Sequence, residues 1–204
     1  MHSISGLIAE AAVLDRIASR LALATPAMLS LGFGFLPLDN TNLDKVVGRK
    51  RGDPVEGFDY LTSGLIKVLR RSSRAGDFAY IETEYSGGAG TQGAAVFQSG
   101  ALKFGPKRAE IGPINEALAM LGMTSGDPPD DAFERVGLGR HRSNGAIREA
   151  DQQRLKPSQS PSGHRRLRRI IWRWVAAMVA MAVAAAAAFI AANAGIEFKL
   201  PALH

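Results

Sequence analysis

Two carboxylates, Glu82 and Glu84, stand two residues apart just ahead of a glycine-rich stretch, in Tyr80-Ile81-Glu82-Thr83-Glu84-Tyr85-Ser86-Gly87-Gly88-Ala89-Gly90-Thr91-Gln92-Gly93. Paired carboxylates can divide the acid and base roles of a hydrolysis. On a strand, a spacing of two sends both from one face about 7 Å apart, a separation set by the strand itself, so chemistry would also require a cleft. The simpler expectation is a solvated or salt-bridged sheet face with Lys103 or Arg140 as partner. Phe78 and Tyr80 share that face, and Ala79, Ile81, Thr83 and Tyr85 are expected to turn to the core.

Gly88-x-Gly90-x-x-Gly93 has the spacing of a dinucleotide fingerprint. That fingerprint works by aiming a helix N-terminus at a pyrophosphate, and Ala94-Ala95-Val96-Phe97 reads as strand. A kinase-type glycine loop would need a later catalytic-loop Asp motif, and a Walker loop would need Gly-Lys-Ser/Thr; neither is present. The stretch therefore reads as a wide hairpin loop over 87–93 whose glycines supply positive φ. As a binding surface its candidate residues are Glu82, Glu84, Tyr85, Gly87, Gly88, Gly90, Gln92 and Gly93. Of the four histidines only His141 is expected inside a folded domain, and between Arg140 and Arg142 it reads as a surface side chain ahead of a general base. With no Cys, disulfides and thiolate metal sites are excluded, and no residue pattern calls for a cofactor or a metal.

The elements that would position these residues follow from periodicity and punctuation. Ile4, Leu7, Ile8, Ala11, Leu14, Ile17, Ala18 and Leu21 recur at helical spacing and predict an amphipathic helix stopped near Thr25-Pro26. Leu29, Leu31, Phe33 and Phe35 alternate with Ser30, Gly32 and Gly34, which predicts a strand with something packed closely over its small face. Asn40 or Thr41 is expected to cap a short helix ending at Gly48, and Thr62 a second one ending at Gly76 with Arg70, Arg71 and Arg74 near its C-terminus. Strands are expected at 78–85, 94–98 and 101–104, the last two joined by Ser99-Gly100. Pro113 opens a helix closed by Gly122, and 131–136 forms another short turn of helix. Strands and helices do not alternate, so the fold class is α+β with a small, mainly antiparallel sheet packed by helices.

Beyond residue 142 the composition changes. Residues 143–163 thin out in hydrophobics and read as a flexible linker, which becomes basic toward 169. From 174 to 192 there is no charge, a run about 28 Å long as a helix and sufficient to span a bilayer's hydrocarbon core. Trp172 and Trp174 fall where an interfacial aromatic belt would lie. Arg165, Arg166, Arg168, Arg169 and Arg173 precede the run while only Lys199 follows it, which puts the N-terminal domain in the cytoplasm. The expected organisation is a domain at 1–142, a linker at 143–169, a transmembrane helix at 170–194 and a short tail at 195–204, in the inner membrane. Ala176, Ala180, Ala184, Ala188 and Ala192 make a small-residue row suited to helix pairing, and hence to a homodimer.

The net charge of +6 does not indicate nucleic acid. Acidic and basic residues balance over 1–142, and the excess lies in the membrane flank, where it attracts anionic lipid.

Tyr80-Ile81-Glu82-x-Glu84-Tyr85-x-Gly87-Gly88-x-Gly90-x-Gln92, followed by Gly112-Pro113-Ile114-Asn115-x-Ala117-Leu118, Phe133 and Gly137-Leu138-Gly139-Arg140, resembles a family of small, uncharacterised bacterial proteins. The resemblance covers roughly residues 30–142 and implies a shared fold without an activity. In size and style it is similar to the immunity proteins that neutralise bacterial toxins. The functional expectation is a tail-anchored protein presenting a non-enzymatic domain to a protein partner, with an immunity-type inhibitor as one concrete version. Its competitor is a small hydrolase or nucleotide-binding protein using Glu82, Glu84 and the 88–93 loop.

Overall fold

The computed structural model of the chain describes residues 2–48, 51–87, 89–123 and 131–155. The apolar run at 174–192, its basic and aromatic flank at 165–174, the tail and Gly88 lie outside them. Among the described residues no helix is long and apolar enough to cross a membrane.

The fold is α+β, built on one antiparallel sheet. Its strands are β1 (His2–Glu10), β2 (Ala27–Met28), β3 (Phe33–Pro37), β4 (Phe78–Ser86), β5 (Ala89–Gln98) and β6 (Ala101–Ala109), in the order β2-β3-β1-β4-β5-β6. Helices α1 (Ala11–Leu21), α2 (Asn40–Val47) and α3 (Ser63–Ser72) serve one face. There Leu14, Ile17, Leu43, Leu65 and Leu69 pack with Leu7, Phe78, Tyr80 and Phe97. Helices α4 (Pro113–Met120), α5 (Ala132–Val136) and α6 (Asn144–Leu155) serve the other. Their Ile114, Leu118, Phe133, Val136 and Ile147 pack with Ile4, Ile8, Ile81 and Val96. Both faces of the sheet are therefore core, so Phe78 and Tyr80 are as buried as Ala79 and Ile81, against the single buried face expected from the sequence.

At the N-terminus, residues 2–10 are a strand, not the opening turns of the expected helix, which starts only at Ala11. Ile4 and Ile8 face one core while Leu7 and Ala9 face the other, so a strand buried on both sides carries apolar residues at spacings that also fit a helix. His2 consequently lies inside the folded domain, paired opposite Tyr85. The strand expected from Leu29 starts at Phe33, because Leu31 and Gly32 take positive φ in the turn between β2 and β3. Gly34 does meet a close neighbour, the Leu14 side chain of α1.

Local chemistry elsewhere acts as expected. Thr62 Oγ1 accepts the Leu65 amide at 3.2 Å to cap α3, and Pro113 opens α4. The cap of α2 is Asp39 rather than Asn40, its carboxylate accepting the Asn42 amide at 3.0 Å.

The stretch read as a flexible linker is helical in its described part. The Asn144 side chain accepts the Ser5 amide (3.0 Å) and donates to the Ser5 carbonyl (2.9 Å), which also accepts the Leu38 amide just past the end of β3. Asp151 accepts the Met28 amide and Arg154 donates to the Met28 carbonyl, so α6 also satisfies the open edge of β2. Ile147, 2% exposed, is the apolar anchor of this helix. Truncating it as Ile147→Ala is expected to lower stability by about 2–4 kcal/mol, read from the urea midpoint of the full chain. A change below about 0.5 kcal/mol would mean that α6 is not part of the cooperative domain.

Candidate functional site

The glycine-rich motif forms the β4–β5 hairpin. Ser86 pairs with Ala89, Gly87 has φ +62, and 89–93 is strand instead of the wide loop expected. A fingerprint loop leading into a helix is thus not what these glycines build. The pairing sets Glu82 opposite Gly93, Glu84 opposite Thr91 and Tyr85 opposite Gly90.

Glu82 is 3% exposed and its carboxylate is fully engaged. Oε2 accepts the Asp59 amide at 2.8 Å, and Oε1 accepts the Tyr60 and Leu61 amides at 3.0 Å and the Tyr80 hydroxyl. The three amides come from the segment between α2 and α3, which lies over the sheet and inserts Phe58 and Leu61 into the core, and the hydroxyl comes from β4 itself. The Phe58 ring rests where a side chain on Gly93 would be, with ring atoms 2.5–3.1 Å from an added Cβ. Gly93 thus serves close packing, not phosphate approach.

The cationic partner is Arg108 on β6, not Lys103 or Arg140. Its guanidinium lies 3.9 Å from Glu82 Oε2 and 3.6 Å from Glu84 Oε2, donates to Thr91 Oγ1 at 2.8 Å and also bonds the Gly57 carbonyl. Counting back from the Ser99-Gly100 turn in regular register would set Pro106 opposite Gly93. Two register shifts in β5–β6 bring Arg108 there instead. Glu84, with its side chain 52% exposed, is the accessible member of the acidic pair.

The eight candidate residues do not form one surface. Glu82, Glu84 and Gly93 belong to the α2–α3 side, whereas Tyr85 and Gln92 turn to the opposite side. Gly87 is at the exposed hairpin tip, Gly90 is next to it, and Gly88 is outside the described residues. The Tyr85 hydroxyl donates to the Glu110 carbonyl at 2.9 Å and its ring meets His2 edge-on at 6.0 Å. Gln92 is buried, and among the described residues its Oε1 has no hydrogen-bond partner.

His2, missed from the sequence because its strand was read as helix, has Nδ1 2.9 Å from Thr83 Oγ1 and its ring 6.0 Å from that of Phe133. Burial lowers its pKa, as it does that of His141, where Arg154 and Arg140 add to the effect. Among the described residues no three His, Asp or Glu side chains come together as a metal-binding group.

Two outcomes test Glu82 as a brace. Glu82→Gln presents an amide donor to backbone donors and is expected to cost about 2–4 kcal/mol, while Glu84→Gln stays within about 0.5 kcal/mol, both by urea unfolding. Stabilisation by Glu82→Gln would contradict the assignment. Burial, and then the neighbouring Glu82 charge, hold the Tyr80 phenol well above its ordinary pKa. The folded state keeps a proton that the unfolded chain releases near pH 10, so this contribution is complete below about pH 10 and is lost as pH rises further. Tyr80→Phe is expected to flatten that alkaline decline by up to about 1.4 kcal/mol per pH unit, and an unchanged slope would exclude Tyr80 as its source.

No protein-family model matches this chain, and no match was found among curated proteins or solved structures.

Proposed function

We propose that the chain is a tail-anchored inner-membrane protein whose domain stands on the cytoplasmic side and binds a protein partner without catalysis, an immunity-type inhibitor being one concrete form. The observation that carries the non-enzymatic part is the engagement of Glu82 by three backbone amides and the Tyr80 hydroxyl. A general acid or base must exchange protons with a substrate, and this carboxylate is enclosed by donors belonging to its own fold. What the hairpin offers outward is its tip, where Glu84 and Gly87 are exposed. The membrane part rests on the charge-free run at 174–192, its arginine-rich flank and the interfacial tryptophans Trp172 and Trp174. Lipid is then one partner, and the alanine row provides for a homodimer within the bilayer.

The test is made in bacterial cells expressing the full chain with a photo-crosslinking residue at position 84 or, as control, at exposed Gln152. Resistance to carbonate extraction, with the domain digested only from the cytoplasmic side, is expected together with a discrete adduct at 84 and none at 152. Release by carbonate would remove the membrane part. A hydrolytic activity abolished by Glu82→Gln in a chain that remains folded would replace the binding reading with the enzymatic one.

A further inference from the structure

α3 and the 3-10 turn that follows it, Ser73–Ala75, carry four cations that the hairpin does not use. Lys67, Arg70, Arg71 and Arg74 repeat at spacings of three and four, and with Gly100 they line a recess of about 240 Å³. All four are exposed, and among the described residues none is ion-paired. Complementing the C-terminal end of a helix dipole, worth about half a charge, takes one cation. Four exceed that need. Lys67 repels Arg70 and Arg71, and Arg74 repels the same two, so the arrangement costs helix stability until an anion joins it.

The Gly100 side of the recess is tied to α3. Ser73, 1% exposed, donates its hydroxyl to the Arg70 carbonyl at 3.0 Å and accepts the Gly100 amide at 2.9 Å, tying the β5–β6 turn to the end of α3. The Asp77 carboxylate, the acidic neighbour of this turn, accepts the Ser99 amide at 3.3 Å. Gly100 has φ +82, and a Cβ there would be 3.3 Å from Cγ and Nε of Arg74, so glycine lets the turn and the arginine stem meet. The Leu69 and Arg71 carbonyls are taken by the Ser73 amide, which leaves the helix end with fewer open acceptors to oppose an anion. The volume is below the roughly 300 Å³ at which small-molecule pockets begin, which suits a phosphate group and its first ester carbons rather than a nucleotide.

We infer that this recess binds the phosphate of an anionic lipid headgroup. The phosphate chemistry rests on the four cations. The choice of lipid as its source rests on the membrane reading proposed above, because tethering would hold the domain beside a leaflet whose negative surface attracts clustered Lys and Arg.

The test uses the full chain in neutral detergent micelles, with amide hydrogen exchange at 73–76 and 99–101 as the readout. Adding phosphatidylglycerol to the micelles is expected to slow exchange there in the wild type. In Arg70→Gln/Arg74→Gln the half-saturating lipid fraction should rise roughly tenfold or more, whereas Lys45→Gln, an exposed cation elsewhere, should behave as wild type. The double variant's urea midpoint, expected at or above that of the wild type because repulsion is relieved, separates loss of the site from loss of the fold. No slowing by phosphatidylglycerol in the wild type, or equal slowing in the double variant, overturns the proposal. Slowing by inorganic phosphate with none from the lipid overturns the lipid source. If carbonate releases the chain from membranes while phosphatidylglycerol still slows exchange, the tether is wrong and the headgroup site stands.

Discussion

The domain depends on one buried negative charge and the donors that surround it. Removing a carboxylate from water costs several kcal/mol even after relaxation, and a single cation seldom offsets that. At 3.9 Å the nearer Arg108 nitrogen is beyond hydrogen-bonding distance of Glu82. The compensation comes mainly from Asp59, Tyr60 and Leu61 amides and the Tyr80 hydroxyl, bonds to a charged group worth roughly 1.5–3 kcal/mol each. The interaction works in both directions. A segment without regular structure between α2 and α3 would otherwise bury unpaired amides, and the carboxylate is what lets Phe58 and Leu61 reach the core.

That arrangement explains the composition of the hairpin. Phe58 needs a flat strand beneath it, which Gly93 provides. Arg108 needs acceptors on both sides, which Glu84, Thr91 and the Gly57 carbonyl provide. A motif that resembles a ligand loop by spacing is, in its inner half, the seat of another part of the same chain. Its outer half, beyond Glu84, is where the sheet meets solvent.

Much of this was legible before the structure, and the misses share a cause. Features set by neighbours in sequence came through: the Thr62 cap, the Ser99-Gly100 turn, Pro113 at the start of α4 and the helix at 132–136. Features set by distant partners did not. β1 is buried on both faces, which erases the alternation that identifies a strand. The amides that engage Glu82 lie more than 20 residues away, Arg108 reaches its place through two register shifts, and α6 buries only Ile147. The acidic pair could be seen from the sequence, but which of its members faced water could not.

α6 gives the fold a mechanical property. Near its C-terminal end, Asp151 and Arg154 hold both backbone groups of Met28. Those contacts are few, and peeling them away would uncover Ile147 together with a free strand edge able to recruit another chain. The last turns of α6 thus act as a latch on the domain: while they hold, the sheet is closed at that side.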